Sequence, residues 1–231
     1  MTRGIFVTGT DTGVGKTLCA SALIHALVNR GLTVMPMKPV AAGAVAHAGG
    51  WANDDVIALL RAAGRDEARA DDANPVLLRE PMAPHLAAAR ERRTITLEPI
   101  LAAFERLRST GDFMVVEGIG GYRVPLSDSI DTADMARAMG LPVVLVVGLR
   151  LGCLNHALLT AEAVRASSLP LAGWIANAID PAMAVVDENV EALRERLGAP
   201  LLGRLPYEAQ PLAAALARHL DISPLLGESG A

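Results

Sequence analysis

A glycine-rich segment near the amino terminus, residues 9–17, has the residue types that bind phosphate. It reads Gly-Thr-Asp-Thr-Gly-Val-Gly-Lys-Thr and follows an apolar run. The strict phosphate-binding loop (P-loop) has glycine where Thr10 stands, so the match is to a variant whose glycine comes one place earlier. Backbone N–H groups of such a loop point at phosphate oxygens. The pattern predicts a nucleotide site rather than an ordinary glycine-rich turn, with Lys16 at the β- and γ-phosphates and Thr17 on Mg²⁺.

Lys38 is the second candidate residue, because it ends an apolar run at residues 33–38. The carboxyl ends of parallel strands line one crevice, so we expect Lys38 to face the P-loop. Lys16 and Lys38 are the only lysines among 21 basic residues, and the other 19 are arginine. A compact ammonium at this place suggests a specific role at phosphate. The alternative is a solvated lysine at a strand end, with codon bias behind the arginine excess.

Two carboxylates are candidates for holding Mg²⁺. Glu117 ends an apolar run and precedes a glycine-rich turn, and P-loop enzymes commonly use an acid at such a position. The alternative for Glu117 is a plain strand end followed by a turn. Asn-Asp-Asp at residues 53–55 could supply the second carboxylate, although such residues are also ordinary N-caps before a helix. Capping is a stronger alternative for Asp54 than for Asp55.

A glycine-led helix start at residues 151–156 follows the apolar run at residues 143–147. It reads Leu-Gly-Cys-Leu-Asn-His, and its free N–H groups make it a candidate anion site. Cys153 is predicted to pack rather than to react, because no base for it is identifiable. His85 and His156 are predicted to be structural, since neither belongs to a pattern with metal-ligand spacing.

An alternation of strands and helices must position these residues. Continuous apolar runs, typical of strands buried on both faces, predict strands at residues 4–8, 33–38, 113–117, 143–147, 171–177 and near 200–202. Helical periodicity predicts helices at residues 18–28, 56–60, 100–107 and 185–197. The alternation indicates an α/β fold with a single doubly wound, mostly parallel sheet flanked by helices. We expect one domain, residues 1–231, with loops at 41–50 and 75–84.

The composition excludes several classes of protein. Of 231 residues, 52% are hydrophobic and 20% are charged, and the net charge of -4 argues against both a disordered chain and a nucleic-acid binder. The longest strongly apolar stretch, residues 141–149, is too short for a membrane span, and no signal peptide is evident. The two cysteines, Cys19 and Cys153, fit a reducing compartment. We expect a cytoplasmic protein without nucleic-acid or membrane partners.

Taken in order, the motifs resemble those of the ATP-dependent dethiobiotin synthetase family, within the P-loop NTPase superfamily. The resemblance runs from the first strand to Leu205-Pro206. It rests on residues 8–17, Lys-Pro-Val at 38–40, Pro-His at 84–85, Val-Glu-Gly-Ile-Gly-Gly at 116–121, Pro-Leu at 125–126, Leu-Gly-Cys-Leu-Asn-His at 151–156 and Gly-Trp-Ile-Ala-Asn at 173–177. The P-loop alone indicates only nucleotide binding, and the later motifs make the resemblance specific.

The resemblance implies an enzyme of biotin synthesis that closes a cyclic urea from 7,8-diaminononanoate (diaminopelargonate), CO₂ and ATP. A substrate amine becomes a carbamate, whose oxygen attacks the γ-phosphorus. The second amine then displaces phosphate from the carbamic–phosphoric anhydride, which gives dethiobiotin, ADP and phosphate. The resemblance also implies that ATP and Mg²⁺ are required, and that the protein is a homodimer whose sites are completed by both subunits.

Carried over residue by residue, the resemblance assigns roles to matching positions of this chain. The implied catalytic residues are Thr12, Lys16 and Lys38, and the implied metal ligands are Thr17, Asp55 and Glu117. The implied nucleotide contacts are Gly13, Val14, Gly15, Lys16, Thr17, Leu18, Asp55, Glu117, Gly118, Ile119, Gly120, Asn177, Leu205, Pro206 and Tyr207. The implied substrate contacts are Thr12, Lys38 and Ala42 and, across the dimer interface, Gly152, Cys153, Leu154 and Asn155.

Two positions depart from the family pattern. Some members carry glutamate where Gly13 stands, although glycine also suits a P-loop. Ala42 stands where a serine often helps hold the substrate, so that polar contact is expected to be absent or supplied elsewhere.

Two other P-loop classes are alternatives. A partitioning or switch ATPase usually has an additional lysine early in the loop, where this chain has Asp11. An amidoligase acting on a corrin-ring carboxylate normally needs a glutamine-hydrolysing domain, and too little chain follows Leu205 to build one.

Overall fold

The computed structural model describes residues 3–47, 50–66 and 70–227, and a six-stranded sheet lies at its centre. The strands are β1 (Arg3–Gly9), β2 (Val34–Met37), β7 (Phe113–Glu117), β8 (Val143–Leu149), β9 (Leu171–Ala178) and β10 (Leu201–Leu205). Their order is β10-β9-β8-β1-β7-β2, and each neighbouring pair is parallel. The six strands predicted from the apolar runs are therefore confirmed.

Helices cover both faces of this sheet. They are α1 (Lys16–Asn29), α2 (Asp54–Ala62), α3 (Ala70–Ala73), α4 (Pro84–Arg90), α5 (Leu97–Arg108), α6 (Thr132–Met139), α7 (Cys153–Ala166), α8 (Val186–Leu197), α9 (Ala213–Leu216) and α10 (Ser223–Leu226), with a 3-10 turn at Ala217–His219. The four predicted helices correspond to α1, α2, α5 and α8. Within the described ranges, no helix is both long and apolar enough to cross a membrane.

The alternation of side chains along β1 shows how the two faces are filled. Ile5 and Val7 pack in one buried cluster with Leu23 of α1, whereas Phe6 packs in another with Phe104 of α5. A strand buried on both faces needs apolar residues at every position, which explains the continuous runs in the sequence. The predicted α/β fold, with helices flanking a parallel sheet, is confirmed.

The predicted loops at residues 41–50 and 75–84 are wrong, because both segments contain strands. β3 (Val40–Ala42) pairs in parallel with β6 (Val76–Leu78), and β4 (Val45–His47) pairs in antiparallel with β5 (Gly50–Ala52). Each strand has only three residues, too few for a periodic signal, and alanine and glycine are poor strand formers. Tertiary packing decides their conformation instead. Residues 48 and 49 of the first segment lie outside the described residues.

The parallel arrangement has a direct consequence for the site. Because all six strands run the same way, their carboxyl ends meet at one edge of the sheet. The P-loop follows β1, Lys38 follows β2 and Glu117 ends β7. The turn before α7 follows β8, and Asn177 lies near the end of β9. Candidate residues distant in sequence are thereby brought to the same edge.

Candidate active site

The P-loop joins the end of β1 to the first residue of α1 through two glycines in the left-handed conformation. Gly13 has φ +74° and Gly15 has φ +82°, a region costly for residues with a Cβ. No side chain caps the start of α1, so the first backbone N–H groups of that helix are free for an anion. A Cβ on Gly15 would lie 2.2 Å from Nδ2 of Asn177, so any other residue there would force the Asn177 side chain to move.

Lys16 is held over this loop by the loop itself. Its Nζ donates a hydrogen bond to the backbone carbonyl of Asp11 at 2.9 Å, and the residue is buried. Burial lowers the pKa of Lys16 below its usual value, although the carboxylate of Glu117 acts in the opposite direction. The ammonium therefore lies where the P-loop pattern predicts phosphate oxygens, and an anion bound there would favour its charged form.

A second group of side chains meets beside the loop, around the ammonium of Lys38. Nζ of Lys38 lies 2.6 Å from Oε1 of Glu117 and 2.9 Å from Oδ2 of Asp55. The hydroxyl of Thr17 donates to the same Oε1 of Glu117 at 2.9 Å. Lys38 and Glu117 are 4% and 1% exposed, so their ion pair is desolvated, whereas the side chain of Asp55 is 44% exposed. The structure thus brings together Lys38, Thr17, Asp55 and Glu117.

The charges of Lys38 and Asp55 favour the ionised forms of these two groups. Burial alone would disfavour the ammonium of Lys38, but the carboxylates of Glu117 and Asp55 outweigh it and hold the pKa of Lys38 above its usual value. Burial also opposes ionisation of Asp55, and the charge of Lys38 nevertheless keeps the pKa of Asp55 below its usual value. At neutral pH both groups are therefore charged.

Local hydrogen bonds fix where Lys38 emerges from the backbone. Its N–H donates to the carbonyl of Ala73 at 2.8 Å, and its own carbonyl accepts from Nδ2 of Asn74 at 2.7 Å. Asn74 also donates to the carbonyl of Val76 at 3.2 Å. Asn74 was not predicted from the sequence. The only available signal was that Asn74 precedes Pro75, the first residue of the predicted loop at residues 75–84.

The capping function at the start of α2 falls to Asn53, which leaves Asp55 free for the site. Oδ1 of Asn53 accepts a hydrogen bond from the N–H of Asp55 at 3.1 Å. Asp54 is exposed and lies 3.4 Å from Nε2 of His47. Of the two carboxylates considered from sequence, Asp55 is the one that reaches the cluster.

Oxygen atoms suited to a hard divalent cation are present in this cluster. Thr17, Asp55 and Glu117 supply a hydroxyl and two carboxylates, and Mg²⁺ prefers oxygen ligands. Oε2 of Glu117 is buried and has no hydrogen-bond partner among the described residues, as expected of an atom meant for a ligand. No group of three or more His, Cys, Asp or Glu side chains able to hold a metal occurs within the described ranges. The set fits a cation that takes its remaining ligands from phosphate and water.

The two groups of charged residues open into one cavity of about 870 Å³. It is lined by Asp11, Thr12, Gly13, Gly15, Lys16, Thr17, Lys38, Ala42, Asp55, Pro81, Met82, Ala83, Pro84, Glu117, Ile119, Gly120, Gly121 and Val124. The segment 81–83 and Val124 were not identified from sequence. Their side chains have no charged or ionisable group and reach the cavity only because the loops fold over it, so no sequence motif identifies them.

The other predicted nucleotide residues lie around the cavity without lining it. Nδ2 of Asn177 donates to the carbonyl of Val14 at 2.9 Å, so Asn177 braces the P-loop. Gly118 donates its N–H to the carbonyl of Val7 at 2.9 Å, and Leu18 packs against the core beneath α1. Leu205, Pro206 and Tyr207 lie at and just after the end of β10, with Leu205 buried and Tyr207 exposed.

The predicted substrate residues at the start of α7 do not line the cavity of this chain. These are Gly152, Cys153, Leu154 and Asn155. Cys153 is buried in the core between α7 and β8, which confirms that it packs. The start of α7 is tied to the P-loop through Arg150, whose Nη2 lies 2.6 Å from Oδ2 of Asp11. Arg150 and Asp11 were not identified as partners from sequence, since 139 positions separate them.

Comparisons with known proteins agree with this geometry. A family model described as an AAA domain matches residues 3–214. The chain is 56% identical to the ATP-dependent dethiobiotin synthetase BioD of Aromatoleum aromaticum over 220 residues, which cover 95% of this chain and 97% of that protein. It is 55% identical to the protein of the same name from Ralstonia nicotianae, over 96% of each chain.

Among solved structures the likeness is one of fold. The septum site-determining protein MinD complexed with Mg-ADP from Pyrococcus horikoshii is 17% identical, with a TM-score of 0.56 over 99% of this chain and 90% of that one. A ParA family ATPase from Chlorobium tepidum is 16% identical, also with a TM-score of 0.56, over 99% of this chain and 95% of that one. At these identities only the fold is shared, whereas the identity to the curated relatives extends over nearly the whole chain. This chain therefore belongs to the ATP-dependent dethiobiotin synthetase family.

Proposed function

We propose that this protein is an ATP-dependent cyclo-ligase that makes dethiobiotin from 7,8-diaminononanoate, CO₂ and ATP, releasing ADP and phosphate. The observation that carries the proposal is the convergence of Lys16 and Lys38 on one cavity with the P-loop. Ring closure needs a carbamate oxygen and a γ-phosphate, both negatively charged, to approach each other. Two ammonium groups that line the same cavity can offset that repulsion.

The reaction proceeds in three steps. One amine of the diamine adds to the carbon of CO₂ and loses a proton, which forms the carbamate. A carbamate oxygen attacks the γ-phosphorus and ADP leaves. The second amine then attacks the carbamate carbon and loses a proton, phosphate leaves with the oxygen that bridged carbon and phosphorus, and the cyclic urea closes.

The residues of this chain act mainly by position and charge. The free N–H groups at the start of α1 and the ammonium of Lys16 would bind the phosphates, and the ammonium of Lys38, which contacts Glu117 and Asp55 in this structure, would reach the reacting oxygens when substrates are bound. Thr12 lines the cavity between them. Thr17, Asp55 and Glu117 would hold Mg²⁺, which supplies further neutralisation of phosphate charge when bound.

The nucleotide base is assigned to the edge formed by β9 and β10. Asn177 lies against the P-loop at Gly15, and Leu205, Pro206 and Tyr207 follow at the end of the next strand. Ala42 lines the cavity with a methyl group only, so it contributes shape and no side-chain hydrogen bond to the diamine pocket.

We further propose a homodimer in which the start of α7 completes the cavity of the other subunit. Gly152–Asn155 lie outside the cavity of their own chain, and their N–H groups suit a carboxylate, apart from that of Cys153, which donates to the carbonyl of Arg150. Leu151, just before α7, is 95% exposed, and Leu159 of α7 is 56% exposed. A partner subunit would cover both side chains. Residues 1–231 would act as one synthetase domain in the cytoplasm, consistent with the unpaired thiols of Cys19 and Cys153.

A partitioning or switch ATPase is the alternative, and the experiment that separates the two measures ADP release. The protein is incubated with ATP, Mg²⁺ and bicarbonate, with and without 7,8-diaminononanoate. The proposal predicts ADP release that depends on the diamine and equals the dethiobiotin formed. ADP released at the same rate without the diamine, and no cyclic product, would overturn it in favour of an ATPase.

A further inference from the structure

The ammonium of Lys38 lies where a metal ion would be expected. It contacts Oε1 of Glu117 at 2.6 Å and Oδ2 of Asp55 at 2.9 Å, and Oε1 of Glu117 also accepts the hydroxyl proton of Thr17 at 2.9 Å. These are the three side chains assigned to Mg²⁺. In this structure one oxygen of each carboxylate contacts the ammonium of Lys38 instead, and the Thr17 hydroxyl donates to Glu117.

Lys38 and a divalent cation cannot share this arrangement without a change. Mg²⁺ takes ligand oxygens at about 2.0–2.1 Å in near-octahedral geometry. An ammonium already bonded to one oxygen of each carboxylate would lie within a few ångströms of the metal, where like charges in a buried site repel strongly. Oε2 of Glu117 is buried and has no hydrogen-bond partner among the described residues, whereas Oε1 of Glu117 and Oδ2 of Asp55 already contact the ammonium.

The backbone of Lys38 is fixed, whereas its side chain, although buried, can change position by rotation about its carbon–carbon bonds. The N–H and carbonyl of this residue are held by Ala73 and Asn74. Four methylene groups separate that anchor from Nζ, and the three N–H donors of an ammonium need no fixed orientation. Lys16, by contrast, bonds to the carbonyl of Asp11 and has no direct contact with the carboxylates within the described ranges.

We infer that Lys38 is the resident counter-ion of the metal site and exchanges places with Mg²⁺ when the metal–nucleotide complex binds. The inference rests on the proposed function, from which it takes the metal ligands. In the free protein the ammonium neutralises Asp55 and Glu117. Displacement by the metal releases it toward the cavity, so that the charge needed by the reacting oxygens is delivered only to a loaded site.

Replacing the ammonium of Lys38 with an uncharged side chain should therefore strengthen metal binding. The test measures Mn²⁺ binding without nucleotide, by electron paramagnetic resonance of the free ion, in the wild-type protein, Lys38→Met and Lys16→Met. Lys38→Met leaves the carboxylates unpaired and is expected to bind Mn²⁺ at least about tenfold more tightly than wild type. Lys16→Met is the matched control, with a change below about threefold.

A second measurement uses the wild-type side chain and does not depend on the stability of Lys38→Met. The chain has only two lysines, so protein labelled with ¹³C at lysine Cε gives two signals, and Lys16→Met identifies the one from Lys38. The inference predicts that Mg²⁺ with ADP shifts the Lys38 signal strongly and that ADP with a chelator does not.

Two outcomes would overturn the exchange: no gain of Mn²⁺ affinity in a folded Lys38→Met protein, or a Lys38 signal that does not respond to the metal. Neither outcome would contradict the proposed reaction, because dethiobiotin formation is measured separately. A protein that forms dethiobiotin, but whose Lys38 signal does not change when Mg²⁺ is added, would support the proposed function and contradict the exchange.

Discussion

The carboxylate of Asp11 joins the P-loop to the residue that precedes the α7 turn. Its Oδ2 lies 2.6 Å from Nη2 of Arg150, and its Oδ1 accepts the N–H of Thr12 at 2.7 Å. The Thr12 N–H and the Arg150 guanidinium together hold the pKa of Asp11 below its usual value, so this carboxylate is charged at neutral pH. The phosphate loop and the start of α7 are thus fixed relative to each other.

Arg150→Gln should affect diamine binding more than folding. Arg150 and Asp11 are both about half exposed, and pairs of this kind contribute about 0.2–1 kcal/mol to stability. We expect a loss of unfolding free energy below about 1 kcal/mol. The KM for the diamine should rise about three- to tenfold, with a change in the Kd for ADP below about twofold. Arg150→Lys should recover most of the affinity, and a double-mutant cycle with Asp11→Asn that shows no coupling would contradict the link.

Gly15→Ala should damage the P-loop more than Gly13→Ala does. Both glycines have positive φ, so alanine costs about 1–2 kcal/mol at either position. Only at Gly15 does the added Cβ clash, at 2.2 Å from Nδ2 of Asn177, whereas nothing lies within 4 Å at Gly13. Thermal melting and ADP binding should therefore rank wild type, Gly13→Ala and Gly15→Ala in falling order. Combining Gly15→Ala with Asn177→Ala should recover part of the stability lost by Gly15→Ala, and equal melting temperatures for the two glycine variants would rule out the clash.

Stability of the metal-free protein should depend on pH through Asp55 and Lys38. The pKa of Asp55 lies below its usual 3.8, so its contribution is present above that value and is lost as pH falls through the folded pKa. The pKa of Lys38 lies above its usual 10.5, so its contribution is present below that value and is lost as pH rises through the folded pKa. The difference in melting temperature between wild type and Asp55→Asn should be constant from about pH 5 to 9 and should shrink below about pH 4. A difference that varies through neutral pH would contradict this assignment.

The elements that carry the site could be predicted because their signals are long or chemically specific. β1, β7 and β8 are continuous apolar runs, and the P-loop pattern lies between a strand and a helix. Parallel strands then place Lys38 and Glu117 at the same edge. The family resemblance selected Asp55 from the two carboxylates already considered at residues 54 and 55, and it alone supplied the role of Asn177.

Contacts that depend on tertiary packing left no comparable signal. The strands β3 to β6 are stabilised by pairing and burial and have no pattern longer than three residues. Asn74 acts through its side-chain amide on the backbone of Lys38, and the Asp11–Arg150 pair spans most of the chain. Neither contact follows from residue types at short spacing.

Mixing two inactive variants tests whether sites are shared between subunits. Lys16→Ala should abolish turnover because it removes a charge from the phosphates, and Gly152→Trp should block the start of α7. In a mixed dimer, one of the two sites combines the intact P-loop of the Gly152→Trp chain with the intact start of α7 of the Lys16→Ala chain. Subunit exchange should therefore restore about a quarter of the wild-type activity. No recovery, with dimer exchange demonstrated by mass, would place each site within a single chain.

Ring closure with CO₂ can be followed through the fate of labelled carbon. The protein is incubated with ATP, Mg²⁺, unlabelled 7,8-diaminononanoate and ¹³C-bicarbonate, and the product is analysed by mass spectrometry. The account predicts dethiobiotin that carries one ¹³C at the urea carbonyl, formed in a one-to-one ratio with ADP. Release of ADP with no labelled cyclic urea would contradict it.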